Sequence, residues 1–291
     1  MTTPSTTEIL TTACDTAGLP VRHARLLRAH SNSVYLLPEV DVIARISSNE
    51  HEGLRGRASL AITRWLADHD IPVTEPALDH AVDVAHTTVT FWRYYPQHDR
   101  PEPPHSALGQ ILRRLHALPA PPLHLPDYQP LLGLTTVLES DAANVLTDQD
   151  RRWLTDRAEE LISNYHTLPT HLGRGMVHGD AYTGNTLWDN DVVRLGDWDE
   201  TSIAPRELDL ANTIQSARFG TTNHAIEEFL RAYGTHLTDQ PLLQSLVRMR
   251  DLHTLAGYIR RAHRGDQPAH EELDQRIASL RNKTARFWRS P

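Results

Sequence analysis

A polar, proline-rich stretch, QHDRPEPPHS at 97–106, divides this 291-residue chain into two parts of different periodicity. Proline fixes φ and removes a backbone donor, so neither a helix nor a central strand is expected to run through it. Before the break, short apolar runs lie between turn residues. SVYLL at 33–37, a turn at Pro38-Glu39 and DVIARI at 41–46 form one pair, and VDVA at 82–85 with TVTFWRYY at 88–95 forms another. Alternation flanked by turn residues predicts hairpins. An apolar helical pattern occupies 6–18, and a helix around 57–68 buries Leu60, Trp65 and Leu66. After the break the chain reads as helical. Ser106 caps ALGQILRRLHAL, whose Leu108, Ile111, Leu112 and Leu115 share one face, and Pro119 stops it. Residues 121–136 read as loop, a long helix runs from Asp148 to Tyr165, and three or four more fill 206–288. The expected class is α+β, with an N-terminal antiparallel-sheet lobe carrying one helix (1–95) and a mainly helical C-terminal lobe (96–291).

Composition narrows the function classes. With 39% hydrophobic and 23% charged residues the chain has the balance of a soluble globular protein. No run approaches the length of a membrane-spanning helix, and MTTPSTTEIL lacks the basic start and apolar run of a signal peptide. A lone cysteine, Cys14, rules out an intramolecular disulfide and a multi-cysteine zinc site, so a reducing cytoplasm is expected. A net charge of −8 argues against nonspecific nucleic-acid binding. Lys283 is the only lysine in the sequence, so a phosphate contact in the core of this protein has to be made by a guanidinium fork.

The segment from His178 to Asp209, reading HGDAYTGNTLW, LGDWDE and PRELDLA, carries the chemistry. Its strands, MVHGD and VVRLGDWD, are expected to form a short hairpin. Asp180 follows a strand and precedes a glycine-containing loop, a position for a carboxylate that receives a hydroxyl proton. Asn185 and Asp197 offer hard oxygen ligands suited to Mg²⁺, which keeps waters and takes phosphate oxygens. His178 either braces this loop by hydrogen bonds or acts more directly, while Asp199 and Glu200 either support the site from behind or are merely solvated, the second being the preferred reading.

These residues resemble the aminoglycoside phosphotransferase and choline kinase-like family. The family pattern, HGD, four residues, Asn, a strand ending in Asp-Trp and a helix bearing Asp-Leu-Ala, is matched by His178-Gly179-Asp180, Asn185, Asp197-Trp198 and Asp209-Leu210-Ala211. The resemblance extends over roughly 25–215. It implies a bilobal protein-kinase-like fold, with Asp180 as catalytic base, Asn185 and Asp197 as magnesium ligands, and Asp209 and His178 supporting the loop. Two departures stand out. Arg45 replaces the usual strand lysine, and Ser59 stands where a glutamate would orient that cation, with Glu52 as a possible substitute. Arg45 is read as the nucleotide-binding cation rather than a surface strand residue. With no glycine-rich loop before it, Ser31, Asn32 and Ser33 are expected to cover the phosphates. Trp92 and Tyr94 are expected at the purine, opposite Phe91.

The implied activity is transfer of the γ-phosphoryl of ATP or GTP, with Mg²⁺, to a small-molecule hydroxyl, most naturally that of an antibiotic. From Asp199 to Pro291 there are twelve acidic and thirteen basic residues, a balance that favours a neutral or weakly charged acceptor over a polyamine. Phe229, Tyr233, Met249, Tyr258 and Trp288 could line its pocket, although at helical spacing core is the commoner fate. A metabolic kinase and a weakly active nucleotide-binding regulator are the alternatives; a metallohydrolase lacks an HExxH pairing. Donor preference and oligomeric state stay open at this level.

Overall fold

The computed structural model describes residues 4–29, 32–47, 49–236, 239–284 and 287–289. Two compact units make up the chain: 1–125 with 183–201, and 126–182 with 202–291. The first unit thus extends past residue 96 and takes back a later piece of the chain.

The first unit is built on a five-stranded antiparallel sheet of order β1-β2-β3-β5-β4. Its strands are β1 (Arg25–Ala29), β2 (Asn32–Leu37), β3 (Val42–Ser47), β4 (Val82–Val84) and β5 (Thr87–Arg93). Strand periodicity sorts β3 between two faces. Val42, Ala44 and Ile46 pack under α1 (Thr6–Ala17) with Val89 and Phe91, against Ile9, Leu10, Ala13 and Cys14. Ile43 and Arg45 point the other way. Ser5 and Glu8 form a capping box that starts α1.

The helix α2 (Glu50–Asp68) begins seven residues earlier than the periodicity predicts, because Asn49 caps it by accepting from the Glu52 amide. Its Gly53 and Gly56 lie against Thr88 and Thr90 of β5, and a Cβ on Gly53 would come within 2.7 Å of Thr88 Oγ1. Interior glycines cost a helix about 1 kcal/mol each. Here they allow a close helix–sheet approach. The helix α3 (His105–Ala117) and the hairpin β7 (Thr186–Asp189)–β8 (Val192–Leu195) complete this unit. The hairpin is stitched to segment 72–74, where the Leu195 amide donates to Pro72 O at 2.8 Å and the Thr74 amide to Leu195 O at 3.0 Å.

The second unit pairs β6 (Arg174–Val177) with β9 (Ser202–Pro205) and is otherwise helical. Its helices are α4 (Leu132–Leu138), α5 (Asp148–Thr167), α6 (Glu207–Gln215), α7 (Asn223–Tyr233), α8 (Pro241–His253), α9 (Leu255–His263) and α10 (Gln267–Arg281). The expected hairpin between MVHGD and VVRLGDWD does not form. Each of those strands takes a different partner, in separate two-stranded sheets. Five α-helices rather than three or four occupy the described residues of 206–288, and α4 begins inside the expected 121–136 loop. Phe229, Tyr233, Met249, Tyr258 and Trp288 are all buried, as core residues.

A fully buried cation anchors the end of this core. Arg276 pairs with Glu272 at 2.9 Å, donates to Tyr258 OH at 3.0 Å and to Arg289 O at 2.6 Å, and stacks 4.2 Å from the Tyr258 ring. Arg276→Met is therefore expected to lower stability by about 3–5 kcal/mol, because it strands the Glu272 carboxylate away from water. The double variant E272Q/R276M should recover much of the loss in urea unfolding.

Candidate active site

The first unit gathers five of the sequence-predicted residues around one cavity of about 480 Å³. Arg45, Trp92, Tyr94, Asn185 and Asp197 all line it, with Val34, Ile43, Ser59, Thr74 and Gly196. Register explains the sheet side of this wall. Val34, Arg45 and Thr90 lie in one cross-strand row and Ile43 faces Trp92 in the next. Phe91, on the opposite face, is fully buried in the α1 core. Asn32 is buried in β2 and Ser33 is half-buried beside it, but neither is among the cavity-lining residues. Ser31 lies outside the described residues.

Gly196 brings Asp197 to the cavity. Its amide donates to Asn185 O at 2.8 Å, and a Cβ there would stand 2.9 Å from Thr74 Cγ2. Asp197 follows with φ 61° and ψ 60°, a left-handed conformation uncommon for a non-glycine residue, at the start of the 3₁₀ turn Trp198–Glu200.

Arg45 is held by two carboxylates. Its Nη1 donates to Asp197 Oδ1 at 3.2 Å and its Nη2 to Asp199 Oδ2, and Ser59 Oγ donates to Asp199 Oδ1 at 2.6 Å. Burial alone would pull the Arg45 guanidinium down, but Asp199 and then Asp197 outweigh it and the net shift is upward. Asp199 is thus no solvated residue: its side chain is only 9% exposed. Arg55 pairs with Glu200 beside it, so that residue too is engaged. The carboxylate expected at position 59 is supplied instead by Asp199, with Ser59 holding it in place. The signal was an acid two residues beyond Asp197, and no sequence rule tied it to β3.

The oxygens of Asn185 and Asp197 are a donor set suited to a hard cation such as Mg²⁺, which is completed by water and phosphate. Among the described residues no group of three or more His, Cys, Asp and Glu side chains could hold a metal by itself.

The second unit holds the other cluster. Asp209, fully buried on α6, accepts from the His178 amide at 2.9 Å and the Gly179 amide at 2.8 Å. Asn212 donates to Gly179 O at 3.2 Å, so α6 grips the loop from both polarities. The His178 ring is also fully buried, and its Nδ1 accepts from the Asp180 amide at 3.2 Å, which is a bracing role. Asp180 itself stays partly exposed and receives Nη2 of Arg250, from α8, at 2.6 Å. Arg250 was not anticipated, because nothing in α8 distinguishes it from Arg248 two residues before it.

A family model described as the phosphotransferase enzyme family, APH, matches residues 23–252, and the chain belongs to that family. It is a small-molecule phosphotransferase, a kinase with an alcohol group as acceptor, as its motif implies. No curated protein sequence matches it. Among solved structures it is similar to amicoumacin kinase hAmiN in complex with AMP-PNP, Ca²⁺ and Ami (TM-score 0.70, 16% identity, covering 96% of this chain and 95% of that one). It is also similar to choline kinase LicA from Streptococcus pneumoniae (0.65, 14%, 93% and 99%). A third is spectinomycin phosphotransferase APH(9)-Ia in complex with ADP and spectinomycin (0.60, 17%, 91% and 90%). At these identities the likeness establishes the kinase-like fold. Among the described residues no helix is long and apolar enough to cross a membrane.

Asp209→Ala leaves two buried amides without an acceptor and should cost about 2–5 kcal/mol of stability. Amide hydrogen exchange should quicken first at His178 and Gly179. Unchanged protection there would contradict the clamp.

Proposed function

We propose that this protein moves the γ-phosphoryl group of ATP or GTP, with Mg²⁺, onto a hydroxyl of a small molecule, and that the acceptor is an antibiotic. One observation carries the reading: a guanidinium, an amide and a carboxylate converge with Trp92 and Tyr94 on a single cavity. That set supplies a fork for phosphate oxygens, hard donors for a divalent cation, and aromatic surface for a base. The nucleotide-bound state of the amicoumacin kinase, and the antibiotics named with it and with the spectinomycin enzyme, support the donor and acceptor classes. A metabolic alcohol is the alternative acceptor, favoured by the likeness to choline kinase LicA.

Arg45 grips the phosphates in this reading, exchanging part of its carboxylate pairing for phosphate oxygens, while Asp199 and Ser59 keep it aimed. Asn185 and Asp197 would hold magnesium, which neutralises charge on the phosphate oxygens. Asp180 orients the acceptor hydroxyl. As the oxygen bonds to the γ-phosphorus, the bond to the β–γ bridging oxygen breaks, the hydroxyl proton passes to the Asp180 carboxylate, and nucleoside diphosphate leaves. A loose transition state asks mainly for orientation from that carboxylate.

A screen of antibiotics and small metabolites for nucleotide-dependent mass gain of one phosphate tests the activity and separates the two acceptor classes. Asp180→Asn should then lower transfer about 10²–10⁴-fold with nucleotide affinity unchanged. Transfer at the full rate would remove Asp180 from its role. Arg45→Met should weaken Mg-nucleotide binding by about 1.5–3 kcal/mol in calorimetry, and equal affinity would move the phosphate site elsewhere.

A further inference from the structure

The buried carboxylates of the second unit are already committed. Four are buried among its described residues: Glu207, Asp209, Asp251 and Glu272. Glu207 accepts from Thr170 Oγ1 and from the amides of His171 and Leu172. Asp209 is filled by the amides of His178 and Gly179. Asp251 takes Gln215 and Arg218, both at 3.1 Å, and Glu272 takes Arg276. The partly exposed Asp180 carries Arg250 at 2.6 Å. An ammonium brought out of water needs a carboxylate to pair with, and each of these would have to release a partner first.

The Arg250–Asp180 contact is built into the helix bed rather than made by two free side chains. Arg250 is only 11% exposed on its side chain, and its Nε is buried without a hydrogen-bond partner. Its neighbour Asp251 ties α8 to Gln215 at the end of α6, and α6 is the helix whose Asp209 fixes the 178–180 loop. Arg250 and Asp180 are therefore indexed to the same pair of helices. The pair also has a chemical consequence. A guanidinium on Oδ1 offsets the negative charge that would draw a cation.

We propose that Arg250 is a positioning and specificity-determining residue: it fixes the Asp180 carboxylate for the acceptor hydroxyl and selects acceptors that are neutral or anionic near that hydroxyl, against ammonium-bearing ones. The proposal rests on Asp180 being the catalytic base. Among the described residues the ion pair that Arg250 makes is with Asp180.

Wild type, R250M, R250K and D180N are compared with MgATP, after thermal unfolding and MgAMP-PNP calorimetry establish that each folds and binds nucleotide. Two rates are read: phosphate release to water without acceptor, and phosphate transfer to matched alcohols. Choline and 3,3-dimethylbutan-1-ol differ in charge at nearly equal shape; a hexose and a nucleoside extend the neutral set, and kanamycin the cationic one. R250M is expected to lose about tenfold or more in turnover with little change in KM for the neutral alcohol, and R250K to recover part of it. The choline-to-isostere ratio should rise about tenfold in R250M. Release to water by R250M at the wild-type rate overturns the positioning role. Wild-type enzyme that phosphorylates ammonium-bearing alcohols as fast as neutral ones, or none of the neutral ones, overturns the selection. D180N at full rate would instead overturn the catalytic reading beneath both.

Discussion

The pairing of the Arg45 guanidinium with two carboxylates is the interaction on which the first unit's chemistry depends. A cation largely withdrawn from water needs carboxylates within reach, and here two reach it, from the turn after β8. That requirement explains several local oddities together. Gly196 lets the turn approach Thr74, Asp197 takes a left-handed backbone, and Ser59 on α2 donates its hydroxyl to Asp199. A lysine with a helix-borne glutamate would pair one point charge with one partner. The arginine fork instead spans two acids and leaves one of them, Asp197, on the cavity wall beside Asn185.

In the second unit the organising constraint is satisfaction of backbone donors. A loop that turns directly out of β6 exposes amides in a dry interior, and such groups have to be paired. Asp209 takes two of them, Asn212 returns a donor to Gly179 O, and the buried His178 ring takes the Asp180 amide. The carboxylate of Asp180 is left to face outward while its backbone is held. Arg250 then reaches that carboxylate from α8, the contact on which the proposed acceptor selection rests.

The sequence was most legible where a single period or a contiguous motif carried the information. Alternation in VIARIS separated the α1-facing side of β3 from the side bearing Arg45, and TFWRYY divided Phe91 from Trp92 and Tyr94 in the same way. The loop signature led to His178 and Asp209 because their bonding is between nearby elements of one motif. What stayed hidden was long-range pairing. Neither the partner of β6 nor that of β8 follows from strand pattern alone, because each short strand had more than one candidate within thirty residues. Asp199 and Arg250 were missed for the same reason: each is an ordinary charged residue locally, and only its distant partner, Arg45 or Asp180, gives it a role. The first unit's division of the chain is of this kind too, since a hairpin at 186–195 joins it through two hydrogen bonds to segment 72–74.

The central claim is that Arg45, Asn185 and Asp197 form the seat of a nucleotide's phosphates and its divalent ion. A crystal structure with AMP-PNP and Mn²⁺, using the manganese anomalous signal, addresses it directly. The account predicts a manganese peak within coordination distance of Asn185 and Asp197 oxygens, with phosphate oxygens on the Arg45 guanidinium. A metal and triphosphate found away from these three side chains, with Arg45 still closed on both aspartates, would contradict it.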